Sequence, residues 1–126
     1  MTQEEKQLLL KDLCARLPYK VNIQVKDWAT LDTKLEIGHI NRLQNDNLEL
    51  KPYLRSMSSM TEEEAEEVCR LENYENRIIC VIPNHTYHFT VGDSVLDWLN
   101  AHHFDYRGLI EKGLALEAPK GMYKLD

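Results

Sequence analysis

The sequence has few cysteines, few glycines and no long apolar run. Its three cysteines, Cys14, Cys69 and Cys80, lie far apart, which argues against a disulfide framework or a zinc knuckle and favours a reducing compartment. The five glycines are scattered, so the glycine-rich loop of common nucleotide-binding proteins is missing. Because no apolar run approaches the ~18 residues that span a bilayer and the N-terminus is polar, we expect a cytoplasmic protein without membrane association.

The composition is that of an ordinary globular protein of one domain. The chain has 126 residues, of which 43% are hydrophobic and 29% charged, a balance typical of a single folded core. We therefore predict one domain over residues 1–126, with 1–56 and 57–126 as substructures. The net charge is −6, and the acidic residues are concentrated after position 60. This acidic half disfavours binding to phosphate backbones.

The first half of the chain predicts one helix and a small sheet. Thr2-Gln-Glu-Glu5 has the form of a capping box, so a helix should cover about residues 3–16. The alternation of apolar and polar residues in 21–26 is typical of a strand with one buried face. Weaker alternation in 34–42 and in 48–50 suggests two more short antiparallel strands, an arrangement that could form part of an SH3-like barrel.

The second half predicts an acidic helix, a hairpin and a pair of helices. Thr61 and Glu64 form a second capping box, and the helix should run to about residue 72 with its glutamates solvated. The run 77–82 and the alternating segment 87–91 are typical of a hairpin. A helix should begin at Asp93 or Ser94, and a shorter one should cover 106–112, before a surface tail of about a dozen residues. The fold class predicted is α+β.

Several strings in this chain resemble a known group of sequences. The strings are Leu-Cys-Ala-Arg-Leu-Pro at 13–18, Lys-Pro-Tyr-Leu-Arg at 51–55, the segment 58–64, and the segments 98–110 and 113–119. Together they are similar to a family of short proteins encoded by gut bacteria and by their mobile elements or phages. No known activity attaches to that family, so the resemblance implies a bacterial or phage-associated cytoplasmic protein and no particular chemistry.

The segment 98–107 is the strongest candidate for a functional surface. Aromatic side chains and arginine carry much of the binding energy at protein interfaces, and this segment is rich in both. We predict a non-enzymatic accessory or interaction protein without a cofactor, and leave self-association open. The predicted contact residues are Trp98, His102, His103, Phe104, Tyr106 and Arg107. The competing interpretation is that Trp98 and Phe104 fill the core while Arg107 pairs with Asp105 or Asp97.

Two other functions stay open as alternatives. A nucleic-acid-binding protein could use the basic and aromatic residues of the first half, since both kinds of side chain bind single strands. Those residues are Lys20, Lys26, Lys34, Arg42, Lys51 and Arg55, with Tyr19, Trp28 and Tyr53. A metal-assisted hydrolase could use His102, His103 and Asp105 with His85 or His88, although their spacing matches no common metal motif.

Nucleophilic catalysis is the least supported chemistry. Cys14, Cys69 and Cys80 each lie in an apolar helical stripe or strand, where a thiolate is costly, so we predict that all three are core residues. Ser58 and Ser59 precede a helix without the Gly-x-Ser-x-Gly elbow of a hydrolase.

Overall fold

The computed structural model describes residues 1–26, 29–45, 48–75 and 93–123, and it confirms the α+β class. Four helices and four strands are present in this part of the chain. In chain order they are α1 (Gln3–Arg16), β1 (Asn22–Lys26), β2 (Thr30–Lys34), α2 (Ile37–Gln44), β3 (Glu49–Leu54), α3 (Glu62–Glu75), α4 (Asp93–Ala101) and β4 (Leu116–Glu117). Short 3₁₀ turns at Leu17–Tyr19 and Met57–Ser59 follow α1 and β3.

Both predicted capping boxes are confirmed. The Glu5 N–H donates to Thr2 Oγ1 at 3.1 Å, and the Thr2 N–H donates to Glu5 Oε1 at 2.8 Å. At the start of α3, the Glu64 N–H donates to Thr61 Oγ1 at 3.2 Å and the Thr61 N–H donates to Glu64 Oε1 at 3.0 Å. Each box satisfies backbone N–H groups that have no partner inside their helix.

The sheet is mixed and has the strand order β2-β1-β3-β4. β1 is antiparallel to both β2 and β3, but β4 is parallel to β3. β1 and β3 correspond to predicted strands, whereas β2 was not predicted. Alternate residues of β1 and β3, such as Ile23 and Leu50, pack against α1 and α2 and form the larger apolar cluster. A smaller cluster lies between α3, α4 and Phe104. The described strands thus form an open mixed sheet rather than an antiparallel barrel.

The predicted strand over 34–42 is wrong, because most of this segment is α2. The apolar residues that are buried are Ile40 and Leu43, which are three apart and share one helical face. Ile37, which a strand would place on the same face as the buried Leu35, is 59% exposed. The Glu36 N–H donates to His39 Nδ1 at 3.0 Å and so caps the helix. The helical period of the apolar residues is therefore the one that governs burial.

The predicted helix over 106–112 is also wrong, since these residues form turns. Gly108 has a φ of 72°, a left-handed conformation that interrupts an α-helix. The buried Asp105 carboxylate accepts from the Leu109 N–H at 2.8 Å and from the Ile110 N–H at 3.0 Å. These bonds stabilise a loop, so α4 is not followed by a helical partner in the described C-terminal segment.

The described residues of the predicted surface tail, up to Tyr123, belong to the fold. Leu116–Glu117 is β4, and the Ala118 N–H donates to the Leu54 carbonyl at 2.8 Å. The Tyr123 hydroxyl donates to the Tyr53 carbonyl at 2.6 Å. A strand of two residues is too short to leave an alternation pattern in the sequence. The predicted hairpin over 77–82 and 87–91 lies outside the described residues.

Candidate functional site

The predicted contact residues divide into buried and partly exposed ones. Phe104 is fully buried and Trp98 is 8% exposed, so their assignment to a contact surface is corrected: they pack between α3 and α4. Within the described residues the Trp98 indole N–H is buried without a hydrogen-bond partner. His102, His103 and Tyr106 are partly exposed.

Arg107 belongs to a buried polar network that joins the two ends of the chain. Asp12, which is fully buried, accepts from Arg16 Nε at 2.7 Å and from Arg107 Nε at 3.1 Å. The Arg107 guanidinium also donates to the Tyr106 hydroxyl at 3.0 Å, and that hydroxyl donates to Asn100 Oδ1 at 2.9 Å. Neither Asp105 nor Asp97 is the partner of Arg107. Tyr106 and Arg107 are thus held by hydrogen bonds and an ion pair within the protein.

Arg16 anchors this network to the segment after α4. Its guanidinium, which is fully buried, donates to the Phe104 carbonyl at 2.6 Å. The third nitrogen of the guanidinium, Nη1, has no hydrogen-bond partner within the described part of the chain. The charge is paired with Asp12, as a buried charge must be. The local sequence around Arg16 does not indicate its burial, since the Phe104 carbonyl that it binds lies 88 residues away along the chain.

A second buried ion pair joins β3 to the first turn of α3. Arg55 donates to both carboxylate oxygens of Glu64, each at 2.7 Å. The Arg55 guanidinium also lies 4.1 Å from the centre of the Phe104 ring. Burial alone would raise the pKa of Glu64, but hydrogen bonds from Arg55 and Thr61 outweigh it and lower the pKa. Glu64 is therefore not part of a solvated acidic face, which corrects that prediction.

The partly exposed histidines line a pocket, which we call the His103 pocket, of about 660 Å³. Its walls come from the start of α3, the end of α4, the sheet and the C-terminal segment. The residues that line it are Asn22, Lys34, Thr61, Glu63, Glu64, Glu67, Ala101, His102, His103, Met122 and Tyr123. Of these, only His102 and His103 were predicted as contact residues.

His103 is the least ordinary residue of the pocket. Its φ is 64°, and its ring stacks on Tyr123 with the ring centres 3.9 Å apart. Burial, with the charge of Arg16, lowers the pKa of His103 to about 4. Among the described residues, nothing bonds to the buried Nδ1 atom. The imidazole is consequently neutral at pH 7 and contributes an uncharged ring to the pocket.

Tyr123 and His102 hold the walls of the pocket in place. The Tyr123 hydroxyl accepts from the Asn22 N–H at 3.0 Å and donates to the Tyr53 carbonyl. Burial raises the pKa of Tyr123 to about 12, so the hydroxyl keeps its proton. The His102 ring stacks on Trp98 at 4.0 Å, and its Nδ1 lies 2.9 Å from the Trp98 carbonyl. These contacts preorganise the pocket.

The residues named for metal binding and for nucleophilic catalysis form no metal site in the described part of the chain. Where the chain is described, no group of three His, Cys, Asp or Glu side chains is placed to hold a metal ion; His85 and His88 lie outside that part. Cys14 is exposed rather than in the core, and of the other two cysteines neither side chain is described.

The basic residues proposed for nucleic acid do not form a continuous basic surface. Arg55 is paired with Glu64, and Tyr53 is buried with its hydroxyl donating to Asp32 at 2.9 Å. The outer face of the sheet mixes charges of both signs. It carries Lys26, Lys34 and Lys51 together with Asp32 and Glu49. Trp28 lies outside the described residues.

Comparison of the chain with protein-family models, with curated proteins and with solved structures gives no match. The resemblance to proteins of gut bacteria and their mobile elements therefore stays a prediction. No helix in the described ranges is long and apolar enough to cross a membrane.

The signal that could have drawn attention to the pocket is the pair Glu63 and Glu67, which lie one helical turn apart on a well-capped helix. Tyr123 left no such signal.

Proposed function

We propose that the protein is a non-enzymatic recognition domain that binds a partner protein through the His103 pocket. The observation that supports this is the pocket itself, which is preorganised by Tyr123 and lies beside two of the residues that the sequence singles out. The side chains of a partner contribute most to the binding free energy where they enter a rigid, partly apolar pocket.

The charges around the pocket favour a cationic side chain. Glu63 and Glu67 are exposed at its edge, whereas Lys34 is the basic residue among those lining it. The carboxylate of Glu64 is already paired with Arg55. His103 adds no positive charge at pH 7 because burial keeps its pKa low. An arginine of a partner could therefore stack on the His103 and Tyr123 rings and pair with Glu67.

The same features argue against catalysis in this pocket. A general base works best when its pKa lies near the working pH, and the pKa of His103 is about 4. The Thr61 hydroxyl is occupied by the capping box of α3. The lining residues, all in the described part of the chain, include no cysteine or serine that could act as a nucleophile.

Selection of peptides from a displayed random library tests this proposal. Peptides that bind the wild-type protein should be enriched in arginine or lysine. Their affinity should fall about tenfold in Glu67→Gln, because a well-oriented charge pair is lost, and it should fall as salt rises. Glu66→Gln is the matched control, since Glu66 is exposed on the same helix and does not line the pocket.

The outcomes of this selection are distinct. Cationic peptides that respond to Glu67→Gln and not to Glu66→Gln support the proposal. No enrichment, or binders indifferent to both substitutions, contradicts it. Single-stranded oligonucleotides used in place of peptides test the nucleic-acid alternative. Binding at low salt that is lost when Lys26 and Lys51 are neutralised would favour that alternative instead.

A further inference from the structure

The free edge of β2 has the backbone pattern needed to add a strand. The Leu35 N–H donates to the Val21 carbonyl at 2.9 Å, so Leu35 and Val21 are a hydrogen-bonded pair. Thr33 and Leu31, two and four residues earlier, form the next hydrogen-bonded pairs with β1. In an antiparallel ladder, hydrogen-bonded and non-hydrogen-bonded residue pairs alternate along the strand. The N–H and C=O groups of Thr30, Asp32 and Lys34 must therefore point away from β1. No other strand of the described residues pairs with β2 on that side.

This edge is unusually open for a strand at the side of a sheet. Native proteins cover such edges or break them with proline and bulges, but β2 is a regular five-residue strand without proline. Leu31 is 61% exposed and Ile37, just after the strand, is 59% exposed. Glu36 keeps an extended backbone, with φ −131° and ψ 163°. The extended segment thus continues beyond β2 itself.

We propose that two copies of this chain associate by antiparallel pairing of their β2 edges, with Thr33 opposite Thr33 of the second copy. In this register Asp32 of each copy lies opposite Lys34 of the other, which gives two such pairs on one face of the joined sheet. On the other face Leu31 lies opposite Leu35, also twice. Opposite charges and apolar pairs directly across an antiparallel ladder stabilise it.

The charges select this register among the neighbouring ones. A shift by two residues would place Asp32 opposite Asp32 of the second copy, where like charges repel. A shift by one residue would turn the outward N–H and C=O groups away from their partners. A lysine on an edge strand often prevents association, but here Asp32 of the second copy neutralises it. The alternating signs of Asp32 and Lys34 are thus complementary to a reversed copy of the same strand.

Sedimentation equilibrium of charge variants tests the pairing. The wild-type protein should show a dimer that dissociates on dilution. Lys34→Glu and Asp32→Lys should each weaken it about tenfold or more, because two attractive pairs become repulsive. The double variant Asp32→Lys/Lys34→Glu should restore the wild-type constant. Lys51→Glu is the control, since Lys51 lies on β3 away from this edge. Far-ultraviolet circular dichroism checks that each variant is folded.

A cross-link tests the register directly. Thr33→Cys, in a background in which Cys14, Cys69 and Cys80 are all replaced by serine, should form a disulfide-linked dimer. Residues opposite each other in a non-hydrogen-bonded pair have Cα atoms about 4.5 Å apart, within disulfide range. Thr30→Cys should not cross-link, because the two copies of residue 30 would lie about 20 Å apart. A protein that stays monomeric to millimolar concentration, or a dimer insensitive to these substitutions, overturns the proposal.

Discussion

Replacing Glu64 by glutamine should destabilise the fold out of proportion to the change in size. Glu64 accepts both short bonds from Arg55 and caps α3, and the side chains of both residues are only 10% exposed. Glutamine keeps the shape and one acceptor oxygen, so the main loss is the negative charge. Removing one partner of a buried ion pair leaves the other charge uncompensated and typically costs about 3–5 kcal/mol.

We expect Glu64→Gln to lower the free energy of unfolding by about 3 kcal/mol, the lower end of that range, since the remaining amide oxygen still accepts one bond. The melting temperature should fall by about 10 °C for a chain of this size. Urea unfolding followed by circular dichroism at pH 7 measures the difference. Glu63→Gln makes the same chemical change one residue away at an exposed position and should alter stability by less than about 0.5 kcal/mol.

A second variant separates charge from packing. If the cost comes from the unpaired guanidinium beside Phe104, then Arg55→Met/Glu64→Gln should be more stable than Glu64→Gln alone, because no buried charge is left. A single-variant loss below about 1 kcal/mol, or a double variant less stable than the single one, would refute the reasoning.

The pair also has a signature in pH. The pKa of Glu64 lies below its ordinary value of 4.5 in the folded protein, so the folded state binds the proton less readily than the unfolded state does. The stabilisation is fully present above pH 4.5 and is lost as the pH falls through the folded pKa. The difference between the wild-type protein and Glu64→Gln should therefore shrink in acid.

Two further predictions concern the other buried groups. Asp12→Asn should cost about 3–5 kcal/mol in urea unfolding, because Arg16 and Arg107 lose their common carboxylate; an effect no larger than that of the exposed control Asp97→Asn would contradict the network. The His103 imidazole should stay neutral in NMR titration until about pH 4. The unfolded chain takes up this proton near pH 6.5, so stability should fall between pH 6.5 and 4, and His103→Asn should remove that part of the fall. A midpoint near 6.5 would show that the ring is not desolvated.

The elements predictable from this sequence are those with local signals. The capping boxes at Thr2 and Thr61 place the starts of α1 and α3, because the bonds that define them span only three residues. The alternation in β1 is equally local. Where two periods compete over a few residues, as in α2, the local pattern does not decide, and burial of Ile40 and Leu43 against α1 and the sheet settles the helix.

The parts that could not be predicted depend on distant contacts. Arg16 is buried by Phe104, 88 residues later, and the Asn22 N–H is bonded by Tyr123, 101 residues later. Nothing in the neighbourhood of these residues marks them. The His103 pocket has the same origin, since α3, α4 and the C-terminal segment meet only in three dimensions. The sequence pointed to His102 and His103 through their aromatic neighbours, and two of those three neighbours, Trp98 and Phe104, proved to be core.

The parallel pairing of β4 with β3 bears on how the chain acquires its structure during synthesis. β4 and Tyr123 follow the strands that they contact and so leave the ribosome after them, yet they complete the sheet and bond the first strand. Contacts of such large separation make folding slow and prevent the N-terminal portion from settling alone. A product truncated near residue 100 would leave Arg16 without the Phe104 carbonyl and should be degraded rapidly, so intact translation and stable accumulation are coupled in this protein.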